Sequence, residues 1–293
     1  MIVFFPCTLR LQQTLYQEAF GDTDSSTYPE RLKQHAINMQ SEGCLAKSAL
    51  TTDNQLIFAI ITPLMQRVLT LLPQASEMMF VDSTGNCDRN GVRIFLLLTH
   101  CAAGGLPVGC VLTQSESEAT LTSAFGMYKD ILPKDAFSKN GFPAVIMTDD
   151  CEAERNALQK AFPRSILLLC IFHVLQAGWR WLRMAKNAIP MWSRQDLYFC
   201  LKKMLYSKSE DDMVGHYADV ADSCGYPTFV AYLKLKYDRR AEMGLCFRKS
   251  LMVRGNNTNN YCEAAMKVLK DCVLQRTKAY NILQLADFIS TRL

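Results

Sequence analysis

No stretch of this sequence stays apolar for long enough to be read as a bilayer span. The nearest, Val92 to Leu112, is broken by Arg93 and His100, and its centre, Ala102-Ala103-Gly104-Gly105, has the chemistry of a turn between two short strands. A secretory leader is not expected either, because Met1 to Pro6 is apolar but too short and lacks a positive region. Repeats and low-complexity tracts are missing, which excludes solenoids and disordered tails from the reading. The twelve cysteines show no paired framework: Cys101, Cys110, Cys170, Cys200 and Cys272 are scattered through apolar segments. They are expected as reduced thiols of a soluble intracellular protein. What is present is a 293-residue chain, 49% hydrophobic, long enough to bury a substantial core. Its charge is uneven. Residues 1–148 carry 10 Lys and Arg against 13 Asp and Glu, whereas residues 149–293 carry 22 against 15. A cationic half suits a polyanionic partner, although charge asymmetry of this size also occurs without one.

The first seventy-odd residues read as helical. Tyr28 to Gln40 has mixed charge with apolar spacing, and Gln55 to Leu72 is apolar on most faces with a break at Pro63. From Met78 the rhythm changes to short runs of β-formers: Met78–Val81, Arg93–Thr99, Val108–Thr113, Ala144–Met147 and Ser165–Leu169. Helices are expected after Ser115-Glu116-Ser117-Glu118, after Thr148-Asp149-Asp150 and after Cys170. Three strands in a meander followed by alternating helices and strands is an RNase H-like order. The expected fold is therefore α/β: a mixed five-stranded sheet flanked by helices, with an N-terminal helical region over 1–75 and a core beginning at 76–190. Residues 191–254 read as a helical insertion, and 255–293 as helices that complete the core.

Asp82 and Asp149 each stand at the end of a buried strand, where a carboxylate can be aimed rigidly, and Glu263 lies on the last clear helix. Carboxylates converging from two strands and a helix suit a pair of hard cations, two Mg2+ or Mn2+, which take oxygen ligands and promote attack on a phosphodiester. Each residue also has a plainer reading. Asp82 before Ser-Thr-Gly suits a turn, Asp149 and Asp150 suit helix caps, and Glu263 stands three residues after Asn260 as in a capping box.

The ordered series is more specific than its pieces. Phe80-Val81-Asp82-Ser83-Thr84, Met147-Thr148-Asp149 with Asn156-Ala157-Leu158 and Phe162-Pro163, Cys170-Ile171-Phe172-His173, and Asn259-Asn260-Tyr261-Cys262-Glu263 together resemble the MULE (Mutator-like element) transposase domain, over roughly residues 75–275. The resemblance implies a DDE transposase of cut-and-paste DNA transposition with Asp82, Asp149 and Glu263 as catalytic and metal-binding residues. It also implies a helical insertion before the glutamate, and Asp150, Cys170 and His173 as residues that shape the site. Cys170 and His173 match the family's Cys-x-x-His feature, but no second ligand pair follows, so zinc is not expected in this chain. The terminal zinc modules common in relatives have no counterpart in these residues.

Arg180, Arg183, Lys202, Lys203, Arg239 and Arg240, interleaved with Trp179, Trp181, Tyr198 and Tyr232, are the candidates for gripping DNA. Residue by residue, the plainer reading as core aromatic or solvated cation is the stronger one, and only as a group do they point to DNA. The expected partners are DNA, as transposon ends and target, and further copies of the chain, in the nucleus and without a membrane. The competing expectation is a domesticated DNA-binding regulator that no longer catalyses.

Overall fold

The computed structural model describes residues 27–274, 278 and 281–292, together with 14, 15 and 18. The chain begins with α1 (Tyr28–Ser41), β1 (Leu45–Leu50), β2 (Leu56–Ile61), α2 (Pro63–Leu71) and α3 (Pro73–Glu77). There follow β3 (Met78–Thr84), β4 (Arg93–Cys101), β5 (Gly104–Thr113), α4 (Glu118–Asp130), β6 (Val145–Thr148), α5 (Glu152–Ala161) and β7 (Ile166–Leu169). The remainder is helical: α6 (Ile171–Arg183), α7 (Arg194–Leu205), α8 (Glu210–Ser223), α9 (Pro227–Asp238), α10 (Arg240–Met243), α11 (Asn260–Val268) and α12 (Ile282–Arg292). A π-helical turn, Leu269–Val273, continues α11. These elements fall into two units, one of Met1–Pro143, Glu152–Arg164 and Asn260–Leu293, the other of Ala144–Cys151 and Ser165–Asn259.

In the first unit five strands pair antiparallel in the order β1-β2-β5-β4-β3. The helix expected over Gln55–Leu72 begins only at Pro63. Leu56–Ile61 is a strand with all six residues buried, and Leu45–Leu50 pairs with it across a turn at Thr51–Asn54. A continuous apolar run has no period of its own, so Leu-Ile-Phe-Ala-Ile-Ile fits a buried helix or a central strand equally well. Tertiary pairing on both edges decides for the strand. Only beyond it does a helix start, where the Thr62 hydroxyl accepts from the Met65 N–H and Pro63 occupies the first turn. Within the expected helical region 1–75, residues 45–61 thus extend the sheet, and most of residues 1–26 lie outside the described part. The five expected strands are all present as β3 to β7, and β1 and β2 bring the described strands to seven.

One face of this sheet is covered by α1 and α12. Tyr28, Leu32, Ala36 and Met39 project from a single stripe of α1 and share a core with Phe58, Leu96, Leu285 and Ile289. α4 and α5 pack against each other, and α4 also packs against β2 and β5. Gly109 in β5 lies under the Tyr128 ring, so close that a Cβ there would fall 2.2 Å from it, and the Tyr128 hydroxyl donates to the Val108 carbonyl at 3.0 Å.

In the second unit β6 and β7 pair in parallel, Val145 opposite Ile166 through Thr148 opposite Leu169. Leu169, Ile171, Val174 and Leu182 pack with Leu201, Met213, Phe229 and Leu233 in a separate core. Residues 191–254 hold the helices α7 to α10. Among the described residues every cysteine is free, and no helix is long and apolar enough to cross a membrane.

Candidate active site

β3 carries Asp82 mid-strand, opposite Leu96 of β4, with Phe80 and Val81 fully buried before it. Strand pairing on the β4 side holds its backbone, and the Ser83 N–H donates to its Oδ1 at 2.7 Å. Glu263 comes from α11, which docks on the same sheet. The Tyr261 ring meets Phe80 edge-on at 5.2 Å, and Gly105 allows the approach because a Cβ there would lie 2.9 Å from that of Tyr261. Cys262, Met266 and Leu269 are buried, which turns Glu263 outward. The helix begins at Asn260, so Asn259 is the flanking residue and Glu263 stands one place past the reciprocal position of a capping box. Asp82 and Glu263 line a single open cleft of about 720 Å³ with Ser83, Thr84, Cys87, Met266 and Asp271. The structure therefore brings these two predicted carboxylates together. Three lysines share the cleft, Lys267, Lys270 and Lys278. They are not among the candidates drawn from sequence, although positions 263, 267 and 270 recur at helical spacing.

In the second unit Asp149 follows β6 and Cys170 follows β7, where the Cys170 N–H donates to the Thr148 carbonyl at 3.0 Å and continues the ladder. His173, in the first turn of α6, forms an ion pair through Nδ1 with Asp149. One donor atom each from Asp149, Cys170 and His173 lies within 4.8 Å of the others. This is a three-donor set of mixed softness, and the contribution of Asp149 is invisible to local Cys-x-x-His spacing. Cys170 Sγ also accepts the Asn259 N–H at 3.3 Å. The hydrogen bond to Asp149, helped by Cys170, raises the His173 imidazole to about 10 against the opposing effect of burial.

Asp150 has a different fate from its neighbour. It accepts from Arg239 Nη1 at 2.7 Å and Lys236 Nζ at 3.2 Å. Burial pushes its carboxyl up, but the Arg239 hydrogen bond and the Lys236 charge outweigh this and hold it below the ordinary range. Asp150 is thus a structural anchor between the β6 end and α9, and Asp149 is the residue aimed at His173.

The same bonds bear on the DNA-contact candidates. Arg239 is also paired with Glu242 at 2.8 Å, and Arg240 with Glu210 at 3.2 Å, so each of these two candidates has a carboxylate partner within the protein. Arg180, Arg183, Lys202 and Lys203 are exposed. Lys202 and Lys203 flank a mostly apolar hollow of about 480 Å³ with Phe199 and Tyr206. Trp181 stacks on Tyr232 at 4.6 Å and belongs to the packing, whereas Trp179 is partly open to solvent. Arg248 is 3% exposed and went unnoticed in the sequence. It donates to the carbonyls of Leu169 at 2.6 Å and Asn257 at 3.3 Å, tying the end of β7 to the loop before α11. Burial lowers its guanidinium to about 10.

No curated protein matches the sequence. Residues 78–177, which run from the first residue of β3 through Asp82, Asp149, Cys170 and His173 into α6, match the family model of the MULE transposase domain.

Proposed function

We propose that this chain is the catalytic region of a DDE-type DNA transposase, with Asp82, Asp149 and Glu263 as its metal-binding carboxylates. A transposase domain implies DNA as the partner. The finer reading is that the protein cuts at transposon ends and joins the 3′-ends to target DNA, as a nuclear homo-oligomer. The observation that carries it is the shared cleft of Asp82 and Glu263, contributed by a sheet strand and a packed helix, Asp82 inside the family match and Glu263 86 residues past its end.

The donor chemistry fits two Mg2+ or Mn2+ ions. Asp82 is partly exposed and Glu263 exposed, so their oxygens can be reached from solvent, and hard cations prefer such oxygen ligands. Bound there, the metals would supply activation of a water or 3′-hydroxyl and stabilisation of the leaving oxygen. The chain's own contribution is positional. Antiparallel pairing to β4 and the Ser83 N–H restrict where the Asp82 carboxylate points. The contact of Tyr261 with Phe80 and the close approach at Gly105 fix where α11 presents Glu263. His173 orients Asp149 through its ion pair. Carboxylates held in place in this way favour the transition state by limiting reorganisation.

The test is metal-dependent nicking and strand transfer by purified protein on duplex DNA, with Asp82→Asn, Asp149→Asn and Glu263→Gln beside the wild type. Activity in Mg2+ that each substitution lowers by about a thousandfold or more supports the reading, a loss of the size expected when a principal transition-state contact is removed. A wild type that binds DNA but never nicks it overturns the enzymatic reading in favour of a domesticated binding protein.

A further inference from the structure

We propose that Lys267, Lys270 and Lys278 form a phosphate-holding wall of the cleft that contains Asp82 and Glu263, and that they grip the backbone of the DNA strand being processed. This rests on the proposed transposase reading of the cleft and adds the residues that hold its substrate. All three lysines line the same cavity as the two carboxylates. Glu263, Lys267 and Lys270 follow at i, i+4 and i+7, so one stripe of α11 and its continuation presents an acid and then two cations. Among the described residues none of these lysines forms an ion pair, even though a Glu four places before a Lys is a favourable helical spacing. The carboxylate of Asp271, which also faces the cleft, has interactions of its own.

The helix is locally widened where this wall stands. The Leu274 N–H reaches back five residues to the Leu269 carbonyl at 2.9 Å, a π-helical bond, and such insertions gather at functional sites because they re-aim side chains without ending the helix. Leu269 and Val273 stay in the core while Lys270 and Asp271 face the cleft. The charges are felt across the cavity: burial pushes the Cys87 thiol up, and the Lys270 and Lys278 ammoniums pull against it. Carboxylates that take up divalent cations leave these lysines as the uncommitted charges in the cleft. Ammonium groups on flexible stems are suited to phosphate as point charges.

The experiment is fluorescence anisotropy with a labelled duplex of arbitrary sequence, titrated at several NaCl concentrations in chelator. The wild type is compared with the triple variant Lys267→Gln, Lys270→Gln, Lys278→Gln. A control of equal charge carries Lys33→Gln, Lys134→Gln and Lys139→Gln, all exposed and outside the cleft. With about 0.9 counterions released per duplex phosphate contact, the slope of log K against log salt should fall by about 2 to 3 in the cleft variant and by less than about 0.5 in the control. Equal slopes for the two variants overturn the wall. Nicking that depends on Asp82 with an unchanged slope in the cleft variant removes the wall and leaves the transposase reading. A lowered slope in a protein that never nicks supports the wall and removes the enzyme. A wild type that does not bind DNA removes both.

Discussion

Adjacent aspartates at 149 and 150 have been given separate tasks by what lies across from them. Asp149 faces an imidazolium, whereas Asp150 faces an arginine and a lysine. The two substitutions should therefore fail in different ways. Asp149→Asn should abolish metal-dependent nicking with little change in the urea midpoint. Asp150→Asn should keep nicking within about tenfold and lose about 1 kcal/mol of stability, a small figure because the pair is a third exposed and screened. Loss of activity in both with no loss of stability in either would sink this division of labour. Arg248 is the other residue-scale case. Its guanidinium serves the Leu169 and Asn257 carbonyls inside the second unit, so Arg248→Met leaves those acceptors without their donor. The expected loss is about 2 to 3 kcal/mol in equilibrium urea unfolding, and a variant as stable as wild type would show that the buried cation does no structural service.

Among the elements, α11 depends on a missing side chain. Gly105→Ala would place a methyl 2.9 Å from the Tyr261 Cβ, and β5 backbone cannot yield easily, so the helix must. A stability loss of about 1 to 3 kcal/mol and a drop in nicking beyond tenfold should appear together, the second because Glu263 moves with the helix. Undiminished nicking would mean that the docking of α11 does not set the glutamate. A second link joins α4 to α5, where Glu118 accepts from Lys160 and from Asn156. Those bonds lower its carboxyl from the ordinary 4.5. A depressed acid stabilises the fold above its unfolded value and stops doing so as pH falls through its folded value. The difference in thermal midpoint between wild type and Glu118→Gln should thus be fully present at pH 7 and close below pH 4.5. A difference that stays constant down to pH 2 would exclude the ion pair as its source.

Elements were legible in sequence where turn chemistry bracketed a short apolar run, as for β3 to β7 and for α4 with its Ser117 cap. β2 was not, since an unbroken apolar run has no period to read. β1 was not either, because Ala46, Lys47 and Ser48 are poor strand formers and only pairing with β2 recruits them. The site shows the same boundary. The carboxylates and Cys-x-x-His were visible as local patterns. One of the two partners of Arg239 stands 89 positions away at Asp150, and no local rule links them.

At the scale of the whole molecule, the proposed metals are ligands of a finished fold rather than its staples. Asp82 and Glu263 stand on elements that are already packed, and their oxygens reach solvent. Chelation should therefore abolish nicking while leaving circular dichroism and the urea midpoint unchanged, in contrast to small metal-dependent domains. Unfolding on chelation would point to a structural metal instead. The core beneath the cleft is built from both ends of the described chain: Tyr28, Leu32 and Met39 from α1 meet Met266, Leu269, Leu285 and Ile289 from the last helices. During synthesis that face of the sheet stays uncovered until the stretch 260–292 has been made. Those same residues bring Glu263 and the three cleft lysines. A product truncated before residue 260 would then be both sticky and without Glu263 of the proposed site, so quality control can act on it until that stretch is made.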